Sequence, residues 1–192
     1  MYNKVVVPLD GSKLAEVALP HLEEIARGCS IPEILLVSVT EPIKGSLSAT
    51  LAIEHATGKE YTTPPIPVGT SHTGIVYSLD SARMADVPVT MGRMAKTALN
   101  YLVRTSRQLE KRGFKTQVSV LIGNPAEEIV HFVEEQGADL IVMASRGKSG
   151  FSRWDMGNVA EKVIRVVNVP VVLVKPLPGF RETKPQRKGT PS

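Results

Sequence analysis

Apolar residues along this chain fall into two alternating patterns. Five short stretches are nearly continuous in Val, Ile and Leu: "KVVVPLD" (4–10), "EILLVSVTEP" (33–42), "TQVSVLIGNP" (116–125), "ADLIVMAS" (138–145) and "VPVVLVKP" (169–176). None alternates strictly with polar residues, so each reads as a strand buried on both faces, as in a parallel sheet. Between them the spacing becomes helical. Leu14, Val17, Ala18, Leu22 and Ile25 mark a helix over 13–27. Met94, Ala98, Leu102 and Leu109 mark one over 92–112, with Gly113 as its stop. A third, over 125–136, opens on Pro125, which costs nothing in the first helical turn, and runs through Ile129, Phe132 and Val133 to Gly137. A fourth, over 158–167, carries Val159, Val163, Ile164 and Val167, and Asn158 with Glu161 has the spacing of a capping box. Strand and helix alternate throughout, which predicts a doubly wound α/β domain with right-handed crossovers.

Two segments break this rhythm. Residues 43–90 form a long connection between the second strand and the second helix, with Pro64, Pro65, Pro67, Gly69 and Gly74 and few charges. Loops of that length are functional or disordered. Residues 176–192 are rich in Pro, Lys and Arg and read as a mobile basic tail. The organisation expected is one domain over 1–175 with a long insert, then the tail. A chain of 192 residues is enough for one domain with a substantial core.

Charge and cysteine content narrow the function classes. The net charge is +4, and residues 175–192, with five basic side chains against Glu182, carry all of it. The folded part is balanced and has no basic stripe interleaved with aromatics, so nucleic acid is not an expected partner. No stretch approaches the ~20 apolar residues of a membrane helix. The opening "MYNKVVVPLDGS" reaches an aspartate too early for a signal peptide. The one cysteine, Cys29, suits a reducing compartment, and a cytoplasmic location is expected.

The stretch "ASRGKSGFSRWDMGN" (144–158) holds the candidate chemistry. Its Gly147-Lys148-Ser149 resembles the end of a phosphate-binding loop, but that loop needs a glycine at 142, which is Val142. No GxGxxG follows the first strand either. What remains is a strand running into a loop of small residues and then a helix opening at Gly157-Asn158. The unpaired N–H groups at such a helix start carry the positive end of the dipole and can hold a phosphate without a lysine. The same residues also suit a plain strand–loop–helix turn with Asn158 as its cap, and Asp10 could be no more than a cap for helix 13–27.

Residues 144–158, with "VAEKVIR" and "NVPVVLVK" after them, resemble the C-terminal signature of the universal stress protein family. Nucleotide-binding members carry Gly, two residues, Gly, nine residues, then Gly with Ser, Thr or Asn. This chain has Ala144, Gly147 and Gly157-Asn158 in those places, so it departs at the first glycine, where alanine narrows the pocket by one methyl. The resemblance extends to "VVVPLDGSKLAEVALPHLEEIA" and "GNPAEEIV". It implies a five-stranded parallel sheet of order 3-2-1-4-5 with helices on both faces, and a ligand at the point where the order reverses. It also implies an adenine nucleotide, ATP with or without Mg2+. In this numbering Asp10 would face the adenine, Val39 would line the base, and Pro8 and Leu9 would shape the wall. Met143 and Ala144 would lie along the ribose, and Gly147, Gly157, Asn158 and Val159 would take the phosphates. Arg146 and Lys148 are added by charge alone. The resemblance further implies a homodimer through the last strand, 170–175, an apolar edge that invites pairing.

No nucleophile–base pair or HExxH spacing is legible, so no catalytic residue or metal ligand is assigned, and slow ATP hydrolysis is the most enzymatic activity expected. The leading expectation is an ATP-binding stress-response switch with a protein partner that the sequence does not name. A nucleotide-independent dimeric interaction protein is the alternative, and Ala144 favours it. An adenylate-transferring enzyme would want a Ser/Gly-rich loop after the first strand, where "PLDGSKLAE" has one of each.

Overall fold

The computed structural model describes residues 1–40, 77–80, 93–146 and 156–176. Gly147, Lys148, the rest of the 43–90 connection and the tail beyond 176 lie outside the described residues. The expected order of elements is present: β1 (Lys4–Pro8), α1 (Lys13–Glu16), α2 (Ala18–Gly28), β2 (Glu33–Thr40), β3 (Tyr77–Asp80), α3 (Arg93–Glu110), β4 (Thr116–Ile122), α4 (Pro125–Gln136), β5 (Leu140–Ala144), α5 (Asn158–Val166) and β6 (Val171–Val174).

Three local details differ from the reading of the sequence. The 13–27 helix is interrupted at Val17, because Pro20 has no N–H to give to the Glu16 carbonyl one turn back. The capping box at Asn158 does not form: the helix is capped by Gly157, and Asn158 is its first helical residue. The long connection contains a strand, β3, which pairs antiparallel with β4 from Tyr77↔Val120 to Asp80↔Gln117.

The sheet order is β3-β4-β2-β1-β5-β6. Its five parallel strands follow the expected 3-2-1-4-5 pattern, with β3 added antiparallel at one edge. β1 is central. It pairs with β2 from Lys4↔Glu33 to Pro8↔Val37, and with β5 at Val5↔Leu140 and Val6↔Ile141. Each face of the sheet carries its own core, which is why the strands read as continuous apolar runs. Val5, Val7, Ile34 and Leu36 meet Leu22, Leu99 and Leu102 on the α2/α3 face. Val6, Leu35, Ile141 and Met143 meet Ile129, Phe132 and Val163 on the α4/α5 face.

Polar contacts fasten the periphery. Glu23 on α2, only 7% exposed, pairs with Arg112 beyond α3 and lies 3.9 Å from Arg27, whose guanidinium stacks 5.1 Å from the Phe114 ring centroid. At the amino ends of β1 and β5, Asp139 accepts from the backbone N–H of Asn3 (2.8 Å) and Lys4 (3.0 Å). Burial alone would raise this carboxyl, but these donors outweigh it and hold the group below its usual range. Its contribution is therefore complete above the ordinary carboxylate value of about 3.9 and is lost as pH falls through the lower folded value. Asp139→Asn should lower stability to urea by about 1 kcal/mol at pH 7, and the gap to the parent should close as the pH drops below about 3.

Candidate functional site

β1 ends at Pro8, and the chain turns sharply before α1. Leu9 N–H still reaches the Val37 carbonyl (2.8 Å), so the turn begins flush with β2. Gly11 adopts φ +79, a left-handed conformation that a side chain disfavours. Asp10 Oδ1 accepts from Ser12 N–H at 2.9 Å, and Ser12 Oγ accepts from Ala15 N–H at 3.1 Å. The cap of α1 is therefore Ser12, not Asp10. Asp10 shapes the turn instead and stands half-buried at the carboxyl end of the sheet.

Across β1, β5 runs out at Ala144 into Ser145 and Arg146. The start of α5 is pressed against this exit: Gly157 N–H donates to the Ser145 carbonyl at 2.8 Å. A Cβ at Gly157 would meet Ser145 O at 3.1 Å and Arg146 Cα at 3.3 Å. A side chain here would thus make its neighbours give way by a few tenths of an ångström, and the Gly157 N–H is already committed. The first helical bond is Glu161 N–H to Gly157 O (3.0 Å). Helix geometry leaves the N–H groups of Asn158, Val159 and Ala160 without intrahelical partners, and the N-cap residue, Gly157, has no side chain to cap them.

The two ends enclose one cleft of about 700 Å3 at the carboxyl edge of the sheet. Of the twelve residues singled out from the sequence, ten are described, and all ten line it: Pro8, Leu9, Asp10, Val39, Met143, Ala144, Arg146, Gly157, Asn158 and Val159. Gly147 and Lys148 lie outside the described residues. Ala144 is 7% exposed, so its methyl forms part of the wall without sealing the cleft.

The cleft also has residues that the sequence did not single out. Ser38 and Thr40 come from β2, Ser145 follows β5, and Thr97, Ala98, Tyr101 and Arg104 come from one face of α3. The Tyr101 hydroxyl is buried with no partner at hydrogen-bonding geometry, beside Glu16 and Thr105. Burial first, and the Glu16 carboxylate second, push this phenol above its ordinary range, so it is a neutral group at any physiological pH. A face of α3 could be drawn from helical spacing, but its approach to the end of β2 is a tertiary event without a local signal. Ser38 did have one: it is the lone hydroxyl inside the apolar run "ILLVSV". Among the described residues no group of three His, Cys, Asp or Glu side chains could hold a metal ion, and no helix is long and apolar enough to cross a membrane.

Residues 69–175 match the Universal stress protein family. The chain belongs to that family. Universal stress protein MJ0577 of Methanocaldococcus jannaschii is 29% identical over 175 residues, covering 91% of this chain and 96% of the relative. The solved structure of MJ0577 superimposes with a TM-score of 0.65 at 26% identity, covering 92% of this chain and 98% of that one. Universal stress protein YxiE of Bacillus subtilis is 27% identical, covering 91% of this chain and all of the relative. A universal stress protein solved in complex with cAMP shares the fold, with a TM-score of 0.56 at 17% identity over 90% of this chain and 97% of that one.

The contact at Gly157 has a direct consequence for this universal stress protein. Gly157→Val should destabilise the nucleotide-free protein by about 1–3 kcal/mol through overpacking against residues 145–146. A lowered urea midpoint without any ligand present checks this; an unchanged midpoint would show that the loop yields freely.

Proposed function

We propose that this protein is an ATP-binding regulatory module whose nucleotide lies across the end of β1, with Asp10 on one side and the start of α5 on the other. The observation that carries the reading is the set of uncapped N–H groups of Asn158, Val159 and Ala160 opening into the cleft that Asp10 also lines. Such a helix end favours phosphate oxygens through both its donors and its dipole. Arg146 lines the same end and adds charge suited to a polyphosphate. Gly147 and Lys148 are assigned to the phosphates on the motif alone. Pro8, Leu9, Val39, Met143 and Ala144 supply the apolar walls. The relative bound to cAMP supports an adenine nucleotide as the class of ligand. Where Mg2+ accompanies the triphosphate, phosphates and water would supply most of its ligands. We assign no catalytic residue, and the nucleotide acts as a switch for a protein partner rather than as a substrate turned over rapidly.

The sheet edges support a homodimer through 170–175. One edge is covered, since β3 lies against β4, while β6 pairs with β5 and carries a second, open edge among the described strands. Val171, Val172 and Leu173 are half-buried there, and Ile164 and Val166 of α5 are 39% and 61% exposed. An apolar open edge favours a two-fold pairing that closes on itself. The same surface favours the second reading, a dimeric interaction protein that needs no nucleotide.

Calorimetry separates the two. ATP should bind with a dissociation constant on the order of micromolar, about −8 kcal/mol, and Asp10→Ala should weaken it about tenfold or more. No heat of binding at millimolar ATP would favour the nucleotide-independent reading. Light scattering at micromolar concentration should return the mass of a dimer; a monomer would refute pairing through β6.

A further inference from the structure

The helices of this fold carry their surface charge in two ways. α1, α2 and α5 hold ion pairs of their own, Lys13–Glu16, Glu24–Arg27 and Glu161–Arg165. α3 and α4 do not. Arg93, Lys96, Arg104 and Arg107 on α3, with Lys111 just beyond it, recur at helical spacing, and all five are exposed. At about 3.6 residues per turn they fall within roughly a quarter of the helix circumference. The one acidic residue of α3, Glu110, accepts instead from Ser106 and Thr116. α4 is the converse. It exposes Glu127, Glu134 and Glu135, and it has no Lys or Arg. Lys96, Arg104 and Lys111 make no ion pair among the described residues, and neither do Glu127, Glu134 and Glu135.

Neither arrangement helps its own helix. Like charges three or four residues apart repel, as at Arg104–Arg107 and Arg107–Lys111. The cations at the amino end of α3 and the glutamates at the carboxyl end of α4 oppose the helix dipoles. α3 packs on one face of the sheet and α4 on the other, so a single copy cannot bring the two together. The near-zero charge of the folded part thus conceals a basic face and an acidic face.

We infer that the α3 face of one copy docks on the α4 face of a second copy. The signs are opposite and the spacings agree. Arg104 and Lys111 are seven residues apart, as are Glu127 and Glu134, and each interval is about 10 Å along the helical path. A foreign polyanion would answer the charge of α3 and leave that of α4 unanswered, whereas a second copy answers both. Because the two faces lie on opposite sides of the sheet, the contact is head-to-tail and leaves one face of each kind free, so copies add in sequence. It is separate from pairing through β6 and rests on no nucleotide. Exposed charges carry it, so salt screens it.

Light scattering on the full chain should give a mass that rises as salt is lowered from about 0.5 M to about 0.02 M, where the screening length grows severalfold. Lys96→Gln/Arg104→Gln/Lys111→Gln and Glu127→Gln/Glu134→Gln/Glu135→Gln should each weaken this association about tenfold, the combined worth of several exposed pairs, with unchanged circular dichroism. Carbodiimide cross-linking of mixed 14N- and 15N-labelled parent chains at low salt should join Lys96 or Lys111 of one isotope to Glu127, Glu134 or Glu135 of the other. A mass independent of salt, links between copies that fall elsewhere, or variants that associate as the parent does would each overturn the contact. So would a constant mass in a chain whose α3 amides shift with poly-glutamate or duplex DNA, which would assign the basic face to a foreign polyanion.

Discussion

The site depends on one close approach of backbone to backbone, Gly157 against Ser145 and Arg146. The N–H of Gly157 is held by the Ser145 carbonyl at 2.8 Å, and a Cβ there would crowd Ser145 O at 3.1 Å. That contact fixes where α5 begins and therefore where its unpaired N–H groups point. Were the helix to start elsewhere, its dipole and donors would leave the cleft, and Asp10 would face nothing complementary. The preference for glycine is thus steric, since a φ of −65 suits any residue and only the approach of residues 145–146 crowds a side chain.

The rest of the site follows from topology. β1 lies between β2 and β5, and the chain leaves it for α1 on one face while α5 packs on the other. The carboxyl end of β1 is consequently the place where helices diverge and a crevice remains. Gly11 and the Asp10–Ser12 hydrogen bond keep the β1–α1 turn tight enough to leave that crevice open. On the far flank, the antiparallel β3 covers the β4 edge, while among the described strands β6 has no neighbour on its outer side.

Most of this architecture was legible from the sequence because strands buried on both faces must be apolar throughout, and helices covering them must be apolar along one stripe. Val5–Val7, Leu35–Val37 and Leu140–Met143 have no solvent side on which a polar residue could appear. The motif around Gly157 was legible for a different reason, its resemblance to the C-terminal signature of the family; the residues alone suited a plain strand–loop–helix turn equally well. What escaped was set by tertiary contact. β3 is four residues, Tyr-Ser-Leu-Asp, inside a Ser/Thr- and Pro-rich connection, and its strand conformation is tied to pairing with β4 rather than to any local pattern. The interruption at Val17 could have been read from Pro20, but the apolar spacing continues smoothly across it. The α3 wall of the cleft, with Tyr101 and Arg104, depends on how a helix docks on a sheet, which periodicity along that helix does not report.

The central claim is that the backbone N–H groups at the start of α5 and the turn at Asp10 hold one nucleotide between them. Amide chemical-shift perturbation on titrating 15N-labelled protein with ATP tests it most directly. The largest shifts should fall on Asn158, Val159 and Ala160, with a second group at Asp10 and Gly11, all saturating with one dissociation constant. Shifts that cluster elsewhere while the amides of 158–160 stay still would contradict the account.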